Sequence, residues 1–426
     1  MKAAALVSSY FLFLFAPRLN VGVPLNLSLA ALALLFLVRW KKLPQMLGSA
    51  ELMLLATFFV AIALYNEFVA GFFGNDPTYF RKIAFSCVSY LVFGYLFVEP
   101  MSAKACSLEQ AVERITRVFV FCVFLNSLLI LLENAVPSVK QAVELLLWEE
   151  TASSGLTYAS HPFWTRGFTA AAGAGLSLAN GLAVWACAAL TILRLYPLVR
   201  GVIVMAVITT ATIFVGRTGL IIAIVAMATF VIWQVLMGFI QGSRGRRSAF
   251  KILALGGLVA LTAYRSVNLD AEVIAWAFDW FSGIQQGGSS SGSVQELQSM
   301  LVLPSNAWHL LFGMGFYEGY SPLYARTDSG YLKTLFSVGL LGGTLLYTVI
   351  LFLVARLAMV SRPMFVLIMP MIVVMIVVEI KEPFLYQNFA ARFLFSLLGA
   401  SLMYASAHPL LGWAMAPPQR QNQSAG

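Results

Sequence analysis

The stretch "GVIVMAVITTATIFVGRTGLIIAIVAMATFVIWQVLMGFI", residues 201–240, consists of two apolar runs separated by the tetrad "GRTG" at 216–219. A helix needs about 17–25 mostly apolar residues to cross a bilayer. An arginine at the bilayer centre is costly, so Arg217 must lie at a water boundary or be bound to something negative. The stretch therefore predicts two membrane helices that meet at a charged turn.

The composition extends this prediction to the whole chain. Of 426 residues, 60% are hydrophobic and 11% are charged, and the mean hydropathy is +0.85. The charged fraction is about half that of an ordinary globular chain. We therefore expect an all-α, polytopic integral membrane protein, with residues 1–426 forming a single transmembrane domain. About twelve spans are predicted, near 3–17, 21–39, 51–70, 83–99, 115–133, 168–192, 201–215, 219–240, 252–264, 329–354, 364–380 and 391–407.

The distribution of lysine and arginine predicts the orientation of these spans. With both termini in the cytoplasm, sixteen of the 27 basic residues are cytoplasmic, and "QGSRGRRSAFK" (241–251) is the strongest anchor. The "GRTG" turn then lies at the outer surface. Eleven basic residues remain outside: Arg18, Arg81, Lys82, Lys140, Arg166, Arg217, Arg265, Arg326, Lys333, Lys381 and Arg392. Any one of them is explained as well by a side chain that snorkels to the interface, but together they favour an anion site, because guanidinium forks suit phosphates.

Two long outer loops are predicted, at about 134–167 and 265–328. The first contains "PSVKQAVELLLWEE", which predicts an amphipathic surface helix. The second contains the flexible stretch "QQGGSSSGS" and then an aromatic, glycine-rich and charged segment that includes His309. Loops of this length are usually functional or disordered. Their aromatic and polar residues favour sugar binding, and the alternative is a loop that merely lies on the bilayer.

The cysteine and histidine patterns favour neither metal nor nucleotide chemistry. Cys87, Cys106, Cys122 and Cys187 fall in spans or a cytoplasmic loop and match no zinc spacing, so no outer disulfide is expected. The three histidines are too scattered for a metal motif, and no glycine-rich phosphate loop follows a strand. We expect no metal site, no cofactor and no nucleic-acid partner.

Four segments, in their order and spacing, carry a resemblance to a known family. "GRTGLI" follows a short span, a large loop comes next, "LFGMGF" lies near its end, and "TDSGYLKTLFSVGLLGG" enters the following helix. This arrangement resembles the Wzy-type O-antigen polymerases and, more distantly, the O-antigen ligases. "VEIKEPFLYQ" (378–387) also looks like a segment that many of these polymerases carry. The order of spans and loops is similar over most of the chain, whereas the sequence motifs cover only about 214–224 and 305–345.

The resemblance implies a GT-C-like, metal-independent glycosyltransferase of the bacterial inner membrane with a periplasmic active site. Its substrates would be undecaprenyl-pyrophosphate-linked oligosaccharide repeat units, held among membrane lipid. In a polymerase the acceptor is another lipid-linked repeat unit, and in a ligase it is the lipid A core. Asp328 and Ser329 stand where the ligases often carry a histidine and a polar residue, which favours the polymerase. Whether a chain-length regulator also binds is left open.

The candidate site residues follow from this chemistry. Cations that face the departing pyrophosphate stabilise the transition state, and Arg217 matches the family's arginine in an R-x-x-L-like motif, here "RTGL". The predicted substrate-binding residues are Arg217, Arg166, Arg265, Arg326, Lys333, Arg81, Lys381, His309 and Tyr331. Asp328 is the first candidate for orienting the acceptor hydroxyl, with Glu379 and Glu382, three apart on one helix face, as the second. A salt bridge to Lys381 explains that pair equally well.

Two other classes of function stay open beside the enzymes. A flippase or other transporter of the same lipid-linked oligosaccharide would show internal repeats and ionisable residues at mid-span, and the sequence displays neither. An accessory membrane subunit without catalytic activity is also possible, but it would not account for the eleven basic residues on the predicted outer side.

Overall fold

The computed structural model describes residues 3–102, 107–148, 165–171, 173–240, 302–317, 327–385 and 388–407, and these are mostly helical. The longer helices are α1 (Ala3–Phe15), α2 (Leu27–Arg39), α4 (Ala50–Phe73), α5 (Thr78–Ser102), α6 (Leu108–Ala135), α7 (Pro137–Leu146), α8 (Ala174–Ile192), α9 (Leu198–Ile213), α10 (Arg217–Ile240), α12 (Gly330–Ala358), α13 (Arg362–Val378) and α14 (Asn388–Ala407). Two short helices are α3 (Leu43–Leu47) and α11 (Ala307–Phe312), and a 3-10 turn spans Trp40–Lys42. Strands β1 (Arg18–Asn20) and β2 (Pro24–Asn26) form a hairpin.

Six of the described helices, α4, α5, α6, α8, α10 and α12, are long and apolar enough to cross a membrane. Helices α1, α9 and α13 are shorter but apolar as well, and so is the part Phe389–Ala405 of α14. Large apolar side chains point outward from these helices, and Leu64, Phe68 and Phe72 of α4 are 64%, 75% and 77% exposed. Soluble monomers rarely expose contiguous apolar patches of more than a few hundred Å². The fold is therefore that of a polytopic membrane protein.

Helix α8 lies at the centre of the described bundle, because almost all of its side chains are buried and α6, α9, α10, α13 and α14 all pack against it. Its first turn also fixes the turn between α9 and α10. The Ser177 hydroxyl donates to the Gly216 carbonyl oxygen over 3.0 Å and accepts from the Gly219 amide over 2.6 Å. The "GRTG" tetrad is therefore held against the start of the central helix.

The start of α14 meets the end of α1. Arg392, in the first turns of α14, donates to the carbonyl oxygen of Phe13 in the last turn of α1, and its guanidinium lies 5.0 Å from the Tyr90 ring centroid. A cation is favourable at a helix C-terminus because unpaired carbonyls point there. This buried contact, rather than solvent, accounts for one of the eleven outer cations of the sequence prediction.

The hairpin departs from the all-α prediction. Its strands pair antiparallel, with Arg18 opposite Asn26, and Asn26 then caps α2 by accepting from the Ser28 amide over 3.0 Å. The span predicted at 21–39 is consequently shortened to the 13 residues of α2. At 1.5 Å per residue that helix is about 20 Å long, less than the roughly 30 Å hydrocarbon core.

The predicted span 168–192 also begins later, at the first residue of α8. Residues 165–171 are not helical, yet most of them are buried, and polar side chains of α6 bind their backbone. Asn126 Oδ1 accepts from the Phe168 amide over 2.9 Å, and Glu133 Oε2 accepts from the Gly167 amide over 3.3 Å. Buried non-helical backbone needs such partners.

The two predicted loops are described only in part. The amphipathic helix predicted in the first loop is confirmed as α7. The predicted span 252–264 and most of the loop 265–328 lie outside the described residues, as do both ends of the chain.

Candidate functional site

Two of the motifs named from the sequence meet in the structure, although they are more than 150 residues apart. The Thr218 hydroxyl, in the first turn of α10, donates to Glu382 Oε1 over 2.9 Å, just beyond the end of α13. Arg217 is the first residue of α10 and is partly exposed. The amide groups and dipole of a helix N-terminus favour anions. The turn therefore combines a guanidinium with a helix end that suits a phosphate.

The third motif, "TDSGY", joins the same place. Both the Ser329 hydroxyl and the Tyr331 amide donate to the Glu379 carbonyl oxygen, over 3.3 and 3.2 Å. Asp328 lies between two buried residues and is itself exposed. We call Asp328, Glu379 and Glu382 the carboxylate cluster. The starts of α10 and α12 and the end of α13 position it.

Glu379 differs from the other two members of the cluster because its side chain is buried. Oε1 accepts from the Leu385 amide over 3.2 Å, and Oε2 lies only 1.5 Å from where a Cβ on Gly330 would be. Burial raises the pKa of the Glu379 carboxyl from 4.5 to about 8. At neutral pH it is therefore mostly protonated, which suits a supporting role better than that of a base.

Glu382 and Asp328 face more open surroundings. Burial raises the pKa of Glu382; the Thr218 hydrogen bond and the charge of Lys381 oppose that rise, and the Asp328 charge adds to it. Among the three residues of the cluster, Asp328 is the most exposed. A substrate hydroxyl arriving from solvent would meet it first.

Arg166 has a different environment from the predicted pyrophosphate site. Its guanidinium is fully buried and forms a two-point ion pair with Glu144 of α7, and Nη1 also donates to the Trp148 carbonyl oxygen over 3.4 Å. Removing one partner from a buried pair leaves an uncompensated charge, at a typical cost of about 3–5 kcal/mol. The pairing therefore makes Arg166 a structural residue that fastens α7 to the segment 165–171.

Three other predicted binding residues lie around the segment "LFGMGF" and its neighbours. Arg81 forms an exposed ion pair with Glu67, 2.9 Å between Nη1 and Oε1. The His309 ring packs edge-on against Phe73, with 4.8 Å between centroids. Lys333 is buried in α12, and its Nζ lies 5.7 Å from the Tyr317 ring centroid. Of the three, Lys333 is the nearest to the carboxylate cluster along the chain, because its amide donates to the Ser329 carbonyl oxygen over 3.0 Å.

Of the remaining predicted binding residues, two are among the described residues and two are not. Lys381 is exposed beside the carboxylate cluster, and the Tyr331 hydroxyl donates to the Ile376 carbonyl oxygen over 3.0 Å, which fixes its ring against α13. Arg265 and Arg326 lie outside the described residues. Within the described part of the chain, no three His, Cys, Asp or Glu side chains are placed to hold a metal ion.

Sequence reasoning missed Thr218 and Tyr317. Thr218 stands inside the quoted motif, and its hydroxyl links that motif to Glu382. A threonine beside an arginine at a helix start could have been singled out as a polar partner for a phosphate or carboxylate. Tyr317, whose ring faces Lys333, gave no such signal, because an aromatic residue in an aromatic loop is common.

A scan against models of protein families matches none, and a search of curated proteins likewise finds no match.

Proposed function

We propose that this protein is a glycan polymerase of the Wzy type. It would transfer a growing chain of an O-antigen or related glycan from undecaprenyl pyrophosphate to the terminal sugar of a lipid-linked repeat unit. The reaction would take place at the periplasmic face of the bacterial inner membrane. The proposal includes about twelve spans in a GT-C-like arrangement, with both termini cytoplasmic.

The hydrogen bond between Thr218 and Glu382 is the observation that supports this proposal most directly. It joins the segment of the family-like arginine motif to the acidic and basic segment before the last helix. The "TDSGY" segment is bonded to the same place through the Glu379 carbonyl oxygen. Three separately quoted motifs thus form one group of cations and carboxylates at helix ends, which is what a pyrophosphate donor and a hydroxyl acceptor require.

We assign a role in this reaction to each residue of the group. Arg217 and the N-terminus of α10 bind the donor pyrophosphate. Asp328 accepts the proton of the acceptor hydroxyl, and the oxygen of that hydroxyl forms the new bond to the anomeric carbon of the donor glycan. The bond from that carbon to the pyrophosphate oxygen breaks, and undecaprenyl pyrophosphate leaves with the electron pair. Glu382, fixed by Thr218, and the buried Glu379 hold the helix ends that carry Asp328 and Arg217.

The test uses purified full-length protein with lipid-pyrophosphate-linked repeat units alone. The wild type should produce a ladder of longer lipid-linked chains, and Asp328→Asn should slow elongation by about a hundred- to ten-thousandfold, the usual range for general-base help. Arg217→Lys should also lose most elongation, because lysine cannot donate two parallel hydrogen bonds to a diphosphate. Asp76→Asn is the matched control, since Asp76 is likewise an exposed aspartate before a helix.

The control should elongate chains like the wild type. A product that appears only when lipid A core is added, as a single transfer, would identify a ligase. Movement of intact repeat units across vesicles without elongation would identify a flippase. Normal elongation by both Asp328→Asn and Arg217→Lys would show that the active site does not use these two residues.

A further inference from the structure

A cavity whose lining includes none of the carboxylate cluster lies where α6 packs beside the start of α9. Its volume is about 380 Å³, within the usual range of small-molecule pockets of about 300–1,000 Å³. Phe121 and Phe124 of α6 line one side, and Ile203 and Val204 of α9 line the other. Arg200 is the one charged residue in the lining. We call this cavity the α6–α9 groove.

The groove opens toward the surface that the bilayer covers. Val199 and Ile203, both in its lining, are 58% and 40% exposed. Helix α9 continues for nine residues beyond Val204, the lining residue nearest the "GRTG" turn, so about 14 Å of helix separates the groove from that turn. The groove is therefore a separate feature from the proposed active site, and it lies where the turn between α8 and α9 leaves the membrane.

Arg200, in the first turn of α9, lies at the mouth of the groove beside the turn between α8 and α9. The guanidinium carbon of Arg200 lies 5.0 Å from the centroid of the Tyr196 ring, which also lines the cavity. Arg117 of α6 fixes the turn by donating to the Leu195 carbonyl oxygen over 2.5 Å, and its own charge is paired with Glu113. Among the described residues, no carboxylate forms an ion pair with Arg200. Within the described part of the chain, the mouth of the groove therefore carries a guanidinium that is not in an ion pair.

We infer that the α6–α9 groove binds one anionic phospholipid, with an acyl chain between α6 and α9 and the headgroup phosphate at Arg200. Apolar walls suit the chain, and a guanidinium held on an aromatic ring suits a phosphate. Basic pockets between membrane helices recognise anionic headgroups in the same way. The inference does not depend on the glycan polymerase proposal.

Native mass spectrometry of the full-length protein in detergent tests the inference. The protein is titrated with phosphatidylglycerol and, separately, with phosphatidylcholine of the same acyl chains. The wild type should retain one phosphatidylglycerol in preference. Arg200→Gln should weaken that retention about fivefold, the effect expected of one basic residue near a membrane surface. Ile203→Trp, which fills the groove, should weaken it as well without removing the charge.

Arg362→Gln is the matched control, because Arg362 is also an exposed arginine at the start of an apolar helix. It should bind phosphatidylglycerol like the wild type. The inference is overturned by equal retention of the two lipids, by wild-type binding in both Arg200→Gln and Ile203→Trp, or by an equal loss in the control. Displacement of the lipid by sn-glycerol 3-phosphate at equal concentration would indicate a free phosphate site, and a dimer that excludes lipid would indicate a second copy in the groove.

Discussion

At the scale of single residues, Glu379 makes stability depend on pH. Its carboxyl has a pKa of about 8 in the folded protein against an ordinary 4.5, because it is buried. The folded state therefore binds this proton more tightly than the unfolded chain does, and the resulting stability is complete below about pH 4.5 and is lost as the pH rises through about 8. We expect the melting temperature in detergent to fall across that window and Glu379→Gln, which stays neutral, to reduce the slope.

Glu67→Gln serves as the control for this measurement, since that carboxylate is partly exposed in a surface ion pair and such pairs contribute little to stability. Its melting profile should keep the wild-type slope. A Glu379→Gln protein with an unchanged slope would contradict the prediction, since the slope would then arise from other groups.

At the scale of one element, α12 is broken inside its length at Gly339, where φ is +69° and ψ is −178°. The break leaves carbonyl groups without helical partners, and the segment 313–316 supplies them: the amides of Met314 and Gly315 donate to the oxygens of Phe336 and Ser337 over 2.7 and 3.0 Å. In an apolar environment such partners are obligatory. The "LFGMGF" segment thus completes α12.

Gly339→Ala should destabilise the protein by about 1–3 kcal/mol, the usual cost of forcing a side chain into such a backbone conformation. The added Cβ would also lie 2.3 Å from the Leu311 carbonyl oxygen and 2.4 Å from the Gly313 amide nitrogen. The measurement is the melting temperature in detergent. Gly71→Ala is the control, because a Cβ there meets nothing within 4 Å, and it should melt at the wild-type temperature or above. An unchanged melting temperature for Gly339→Ala would mean that α12 is not broken there.

At the scale of the whole molecule, cysteine labelling of intact spheroplasts tests which ends of the helices share a compartment. Asn20, in the hairpin that follows α1, and Lys41, in the turn that follows α2, are both exposed and lie at opposite ends of α2. In a Cys106→Ser background, Asn20→Cys should react with an impermeant thiol reagent, and Lys41→Cys should react only after lysis. The charge distribution gives the reason, since lysine and arginine concentrate on the predicted cytoplasmic side. The reverse pattern would invert the proposed topology and place the carboxylate cluster in the cytoplasm.

The amino-acid sequence by itself determined the class of the protein and where most of its helices lie. The structure confirms a polytopic helical membrane protein. The two apolar runs of 201–240 form α9 and α10, which are separated at the "GRTG" turn. Hydropathy summed over about twenty residues is a local property, and the bilayer selects helices by that property alone. The hairpin at 18–26 escaped this reasoning because its two strands have only three residues each, too few to change such a sum. The buried segment 165–171 escaped it because its backbone depends on polar partners in α6.

Only the tertiary structure decided which charged side chains meet. Nothing local distinguishes Arg166, which is buried against Glu144, from Arg217, which begins α10 beside the Thr218–Glu382 bond. Glu379 and Glu382 are three residues apart in sequence, yet one is buried against Gly330 and the other bonds to Thr218. The physical reason is that the partner of a buried polar group is set by how helices pack around it, and packing sums many small contacts between segments distant along the chain.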